Sequence, residues 1–150
     1  NVTLAMPEPI GVFGVACPDA LPLLGFISTV MPSVAMGNTV VALPSTTAPL
    51  TATDLYQVLD TSDVPGGVIN IVTGPRAELT EVLAAHYDVD AFWYFAEDDG
   101  GKTVERLSAE NMKRTWVSAG RDWWSPTRGQ GPEFLRHATQ PKNIWVPYGA

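Results

Sequence analysis

Short apolar runs alternate with longer segments of helical periodicity along the first 120 residues. The runs that predict strands are 10–16, 39–43, 68–72, 91–95 and 115–118. Between them, segments 21–36, 51–59, 77–85 and 102–109 predict helices, and Gly37 is placed to end the first one. Continuously apolar strands are typical of a sheet covered on both faces. The order predicts an α/β fold with an open, doubly wound, mostly parallel sheet.

The pattern changes after residue 120. Residues 121–140 carry Trp123, Trp124 and several glycines and prolines, which predicts an irregular surface crossing held to the domain by its tryptophans. A last apolar run, 143–146, predicts a terminal strand with an open edge. Its pairing partner is either the chain's own sheet or another chain. The candidate interface residues are Asn143, Ile144, Trp145 and Val146.

Composition narrows the possible partners. Hydrophobic residues make up 45% of the 150 residues and charged residues 17%, with a mean hydropathy of +0.05, so the chain can bury a core. Sixteen acidic and nine basic residues give a net charge of -7, which argues against nucleic acid as a partner. The apolar stretch 21–36 is interrupted by Pro22 and Pro32, and we expect no membrane span. The single cysteine, Cys17, excludes an internal disulfide framework, so a cytoplasmic setting is expected.

The strand ends are where an open α/β sheet binds ligands. None of them carries a complete G-x-G-x-x-G loop, and Glu97 to Asp99 place three carboxylates at the start of a helix, as an acidic cap or as a ligand site. Cys17 ends a buried-looking strand, which favours a packing role over a nucleophilic one. The two histidines, His86 and His137, lack metal-ligand spacing. The residues alone assemble no catalytic constellation.

Four segments, 8–15, 32–41, 67–74 and 86–90, resemble the cofactor domain of aldehyde dehydrogenases in order and spacing. The resemblance covers roughly residues 8 to 120. It implies a Rossmann-like fold that, in the family, binds NAD(P) for the oxidation of aldehydes. Residues 1–120 then form a degenerate dinucleotide-fold region and residues 121–150 an extension with an oligomerisation strand. We expect one domain overall, and, because it begins at Asn1 rather than Met, part of a longer chain.

The departures from the family fall on functional positions. Ala20 stands where the family has the Asn of the oxyanion hole, and Ser118 where it has the general-base Glu. At the cofactor positions, Leu43 and Thr46 replace the ribose-binding Lys and Glu, while Ala96 and Glu97 replace the Gly-Ser of the pyrophosphate helix. We therefore expect no catalytic residue, no cofactor and no metal in this chain. A 150-residue chain also has no room for the family's catalytic domain.

The run 91–95, the strand end 116–118 and the tail 143–149 are most similar to the C-terminal pseudo-enzyme domain of family-16 aldehyde dehydrogenases. This implies a non-catalytic assembly domain whose partner is a catalytic aldehyde dehydrogenase unit, in the same or another chain, or a second copy of itself. The alternative is a surviving NAD(P)-binding module that uses Ser45, Thr46, Lys102 or Arg121. A third hypothesis, an unrelated enzyme that uses Cys17 or a carboxylate pair, lacks a base and an orienting group.

Overall fold

The computed structural model describes residues 1–147. In chain order, its elements are β1 (Val2–Pro9), β2 (Val12–Ala16), α1 (Pro22–Ala35), β3 (Thr39–Leu43), α2 (Leu50–Thr53), α3 (Tyr56–Asp60), β4 (Ile69–Ile71), α4 (Arg76–Ala85), β5 (Ala91–Tyr94), α5 (Gly100–Ser108), β6 (Arg114–Val117), α6 (Pro132–His137) and β7 (Thr139–Val146). None of the helices in this part of the chain is long and apolar enough to cross a membrane.

A five-stranded sheet with the order β4-β3-β2-β5-β6 is parallel throughout. In β2, Phe13 and Val15 pack on the face that α1 and α6 cover, with Phe26, Trp93 and Phe134. Ala16 packs on the other face with residues of β5, α4 and α5. Alternate side chains of one strand point to opposite faces, so both faces must be apolar. The prediction of an α/β fold with a doubly wound, mostly parallel sheet is confirmed.

The helix predicted over 51–59 is interrupted and forms the two short helices α2 and α3. The Thr51 and Thr53 hydroxyls donate to the Ala48 and Leu50 carbonyls, three residues earlier. The Leu55 N–H donates to the Ala52 carbonyl at 3.2 Å, three residues earlier, so regular i→i−4 hydrogen bonding stops at this point. At the end of α1, by contrast, Gly37 has a φ of +91°, as predicted for a glycine that ends a helix.

The terminal strand pairs with a strand that the sequence pattern did not indicate. β7 starts at Thr139 and runs antiparallel to β1 in a separate two-stranded sheet, with Leu4 opposite Ile144. Within the chain, its partner is therefore β1 and not a strand of the main sheet. β1 escapes detection because Pro7 and Pro9 interrupt its alternation, and proline normally argues against a strand. Pro7 faces Pro141, and two opposed prolines fit a non-hydrogen-bonded pair of an antiparallel ladder, where neither N–H is needed.

The crossing from β6 to β7 contributes to the main core. Trp123 and Phe134 are 4% and 0% exposed, and both belong to the cluster on the α1 face. Trp124 is 75% exposed, so the prediction that both tryptophans hold the crossing is wrong for Trp124. Trp145, on β7, is 74% exposed and does not pack against the main sheet. Tyr148 and Gly149, part of the tail motif, lie outside the described residues.

Candidate functional site

The carboxyl ends of β3 and β4 border a cavity of about 250 Å³, next to the end of β2. Leu43, Thr46, Gly74 and Arg76 are among its lining residues. This is the edge at which an open parallel sheet binds ligands. The structure therefore brings two of the predicted cofactor positions, Leu43 and Thr46, to one place.

An internal ion pair occupies this edge. The Arg76 guanidinium donates two hydrogen bonds to the Asp19 carboxylate, each of 2.8 Å. Its Nη2 also donates to the Cys17 carbonyl at 3.0 Å. The Arg76 side chain is 7% exposed and that of Asp19 is 38% exposed. Arg76 therefore has its charge neutralised within the domain.

Asp19 also receives donors from the turn after β3. The N–H and hydroxyl of Thr46 lie 2.7 and 3.0 Å from its Oδ1, and the Ser45 hydroxyl lies 3.0 Å away. Burial opposes ionisation, but Arg76 and the Thr46 donors outweigh it and lower the pKa of Asp19 to about 2. Thr46 thus has both of its donors committed to Asp19.

Leu43 and Ala20 bring no polar side chain to the edge. Leu43 is 2% exposed and packs with Ala16 and Tyr94 in the core on the α4 face. Ala20 is exposed after β2. Neither can donate a hydrogen bond from its side chain to a ribose or an oxyanion.

The acidic segment after β5 is a helix cap. The Asp98 Oδ1 accepts the Gly100 N–H at 2.9 Å at the start of α5, and it also accepts the Tyr94 hydroxyl. Asp99 pairs with Lys102 at 3.3 Å, and both side chains are exposed. Ala96 is buried and Glu97 is exposed. Asp98 thus bonds the first N–H of α5, as an acidic cap predicts, whereas Asp99, the N-cap residue, makes no side-chain cap bond.

Tyr94 fills the space between α4 and α5 beside this cap. Its side chain borders a cavity of about 300 Å³ with Asp98 and Thr103. Burial and the neighbouring Asp98 raise the pKa of Tyr94 above its usual range. A Cβ at Gly100 would lie 2.1 Å from the Tyr94 hydroxyl, so this close approach requires glycine.

The remaining catalytic candidates, Ser118 and Cys17, make contacts within the fold. Ser118, at the general-base position, is half-buried and its N–H donates to the Tyr94 carbonyl. Cys17 is fully buried, with its sulfur 3.6 Å from the Thr29 hydroxyl, and burial raises the pKa of its thiol to about 12. The thiol is therefore protonated at neutral pH, and the predicted packing role is confirmed. Within residues 1–147, no group of three or more His, Cys, Asp and Glu could hold a metal ion.

Sequence reasoning missed the pairing of Asp19 with Arg76. Both residues follow strand ends, but 57 positions separate them. The sequence carries no signal for this pair, because it depends on the strand order: β2, β3 and β4 are neighbours, so an acid after β2 can meet a base after β4. The Arg76 side chain passes the end of β3, where the Pro44 carbonyl lies 3.4 Å from its Nη2.

The sequence of this chain matches known proteins over most of its length. The sequence profile of the aldehyde dehydrogenase family matches residues 1–121. The chain is 36% identical over 113 residues to a betaine aldehyde dehydrogenase of Bacillus subtilis, covering 75% of this chain and 23% of that protein. It is 40% identical over 114 residues to a 2-hydroxymuconic semialdehyde dehydrogenase of Pseudomonas putida, covering 75% and 24%.

The fold is also similar to solved structures. A crystal structure of an indole-3-acetaldehyde dehydrogenase in complex with NAD+ superimposes with a TM-score of 0.75 at 33% identity. The match covers 79% of this chain and 24% of that one. The chain thus spans about a quarter of the length of the relatives it matches.

Proposed function

The chain belongs to the aldehyde dehydrogenase family, and from that premise we propose that it is a non-catalytic domain that supports assembly of a catalytic unit of the same family. The observation that carries this proposal is the Asp19–Arg76 ion pair at the edge of the sheet. The fold is retained, while the polar groups at its ligand-binding edge bond to one another.

The family is NAD(P)-dependent, and the residues of this chain do not fit that cofactor. Leu43 presents an apolar side chain where the family places a ribose-binding lysine. Thr46 gives its donors to Asp19. Glu97 carries a negative charge in the turn between β5 and α5, where a pyrophosphate at the start of α5 would meet repulsion. We therefore derive no reaction step through a nicotinamide cofactor.

The alternative, a surviving NAD(P)-binding module, is supported by the 250 Å³ cavity beside Thr46. Of the other candidate donors, Arg121 is held in a largely buried ion pair, while Lys102 is in an exposed surface pair that contributes little. Lys102 pairs with Asp99, and Arg121 pairs with Glu133 at 2.8 Å with its side chain 9% exposed. NAD(P) bound at this edge would have to separate Arg76 from Asp19, or bind without contacting either side chain.

Calorimetry with NAD+ distinguishes the two functions. We expect no saturable binding to the chain at micromolar concentration, because the edge offers one apolar and one anionic contact in place of polar ones. The double variant Leu43→Lys, Glu97→Ser restores the family residue at two of the four departed cofactor positions, so weak binding should appear or improve in it. Saturable micromolar binding to the unchanged chain would contradict the proposal and favour the module. A double variant that gains nothing would argue against even a latent site.

The assembly role is proposed for the β1–β7 ribbon. Val2, Leu4 and Met6 are 46–49% exposed and lie on one face, where Val146 faces Val2 and Ile144 faces Leu4. Residues directly opposite in an antiparallel pair share a face, so these side chains form one apolar strip. Its proposed occupant is a second copy or the catalytic unit. The apolar strip and the unpaired edge of the β1–β7 ribbon would together form the contact with this occupant.

The finer proposal is that this chain corresponds to the C-terminal pseudo-enzyme domain of a family-16 aldehyde dehydrogenase. The crossing from β6 to β7 supports it, because residues 121–138 lead directly from the parallel sheet to the ribbon. A catalytic domain has no place in that connection.

A charge in the apolar strip should disrupt assembly. We expect Leu4→Glu to lower the mass measured by light scattering from that of an oligomer to that of a monomer. The reason is that a carboxylate buried at an interface is strongly unfavourable. Thr3→Glu is the matched control, since Thr3 lies on the opposite face of β1 and should leave the mass unchanged. Deleting residues 141–150 should also reduce it. A mass that responds to neither Leu4→Glu nor the deletion would count against the ribbon.

A further inference from the structure

A second concentration of charge lies far from the carboxyl edge, beside the start of β6. A cavity of about 280 Å³ there is lined by Trp93, Arg114, Thr115, Arg136 and His137. Along the chain these basic residues are scattered, but folding places β6 beside α6 and gathers them. The local charge is positive although the whole chain carries -7. Salt screens charges that lie further away than about 8–10 Å, so the charged groups nearest to the cavity determine whether it attracts an ion.

Two guanidinium groups in this cavity have no carboxylate partner. Neither Arg114 nor Arg136 takes part in an ion pair within residues 1–147. Arg114 is held in place because its Nη1 donates to the Thr139 carbonyl at 3.0 Å, which leaves its other N–H groups for a ligand. The nearby acid Glu133 is bonded to Arg121. The cavity therefore has a surplus of charged donors.

A backbone donor and an imidazole complete the set. The N–H groups of Arg114 and Ser118 donate to carbonyls of residue 90 and of β5. The N–H groups of successive strand residues point to opposite sides, so the N–H of Thr115 points away from β5. It faces the open edge of the sheet, because β6 is the last strand. The His137 ring is fixed by stacking on Trp116, with centroids 3.9 Å apart and planes 11° apart.

We infer that this cleft between β6 and α6 binds a phosphate group, either free or as a monoester. Two arginines, an imidazole and an exposed backbone N–H provide the directional, charge-assisted donors that phosphate oxygens accept. The cavity, at about 280 Å³, has room for a phosphate and several waters, since one water takes about 30 Å³ in the liquid. No carboxylate lines it to oppose the anion.

Calorimetric titration of the chain with inorganic phosphate tests the inference. We expect saturable binding at millimolar phosphate that weakens at least about tenfold in Arg136→Gln, the loss of one charge-assisted contact. Arg106→Gln is the matched control, because Arg106 is an exposed arginine of α5 away from the cleft. Thermal unfolding of both variants verifies that they fold. No saturable binding, or equal weakening in Arg106→Gln, overturns the inference.

O-phosphoserine, with serine as its control, separates the two sources of the phosphate group. Binding of both phosphate and O-phosphoserine identifies a phosphomonoester as an acceptable ligand, whereas binding of phosphate alone identifies the free anion. Binding of serine as strongly as O-phosphoserine overturns the inference, because the contacts would not be to phosphate.

The titration of His137 provides an independent readout. Burial lowers its pKa, Glu133 opposes this, and Arg136, Arg121 and Arg114 lower it further. A phosphate in the cleft adds negative charge and should raise the pKa of His137, observed by NMR, while His86 serves as the internal reference. A His137 pKa that phosphate leaves unchanged contradicts binding at this place.

Discussion

Replacing Phe134 with alanine is expected to lower the free energy of unfolding by about 4 kcal/mol, the cost of removing a fully buried phenylalanine from a packed core. Phe134 is 0% exposed, and its ring lies 5.1 Å from that of Trp116 and 6.0 Å from those of Trp93 and Phe95. The substitution leaves a cavity at the centre of this aromatic cluster. Urea unfolding followed by tryptophan fluorescence measures the loss.

Leu135→Ala is the matched control for this measurement. Leu135 is the next residue of α6 but is 40% exposed, so its truncation should cost less than about 1 kcal/mol. A loss in Phe134→Ala no larger than in Leu135→Ala would show that α6 does not hold the sheet together. The same cluster contains Trp123 and Ala138, so we expect a chain cut at residue 120 to be unstable.

Replacing Asp19 with alanine is expected to cost about 2–3 kcal/mol of unfolding free energy. Breaking a fully buried pair costs about 3–5 kcal/mol, and the partial exposure of Asp19, 38%, reduces this. The change leaves the Arg76 charge buried without its carboxylate, and it removes the acceptor of Thr46. Asp60→Ala, at an exposed acid of α3, is the control and should change stability by at most about 0.5 kcal/mol.

The pH dependence of unfolding identifies the origin of this loss. The pKa of Asp19 is lowered to about 2 in the folded chain, compared with an ordinary value near 3.9. The unfolded chain therefore binds the proton first, and the stabilisation is complete above about pH 4 and disappears as the pH falls towards 2. Asp19→Ala should lose less stability than the unchanged chain across this window. Parallel acid curves for the two proteins would contradict an ionised, paired Asp19.

The strands and helices of the parallel sheet could be predicted because their signals are local. Continuous apolar runs at 39–43 and 91–95 mark strands covered on both faces, and the structure has strands at Thr39–Leu43 and Ala91–Tyr94. Gly37 marks the end of α1 for a similarly local reason. The break between α2 and α3 escaped prediction, because the tighter hydrogen bond from Leu55 to Ala52 interrupts the helix without changing the apolar pattern.

The candidate site could be located but not completed. Strand-end positions such as Leu43 and Thr46 follow from the order of elements, and they do line one cavity. The sequence contains no sign that Arg76 would reach Asp19, since a pair 57 residues apart depends on which strands are neighbours.

The sequence by itself determined the family resemblance, the parallel α/β fold, the burial of Cys17 and the positions at which the chain departs from the family pattern. Only the tertiary structure decided the pairing of β1 with β7, the burial of Phe134, the Asp19–Arg76 pair and the gathering of Arg114, Arg136 and His137. The reason is physical: periodicity and capping act within a few residues, whereas these contacts join segments that lie far apart in the chain. Their energies depend on the burial and distance that only the packed fold defines.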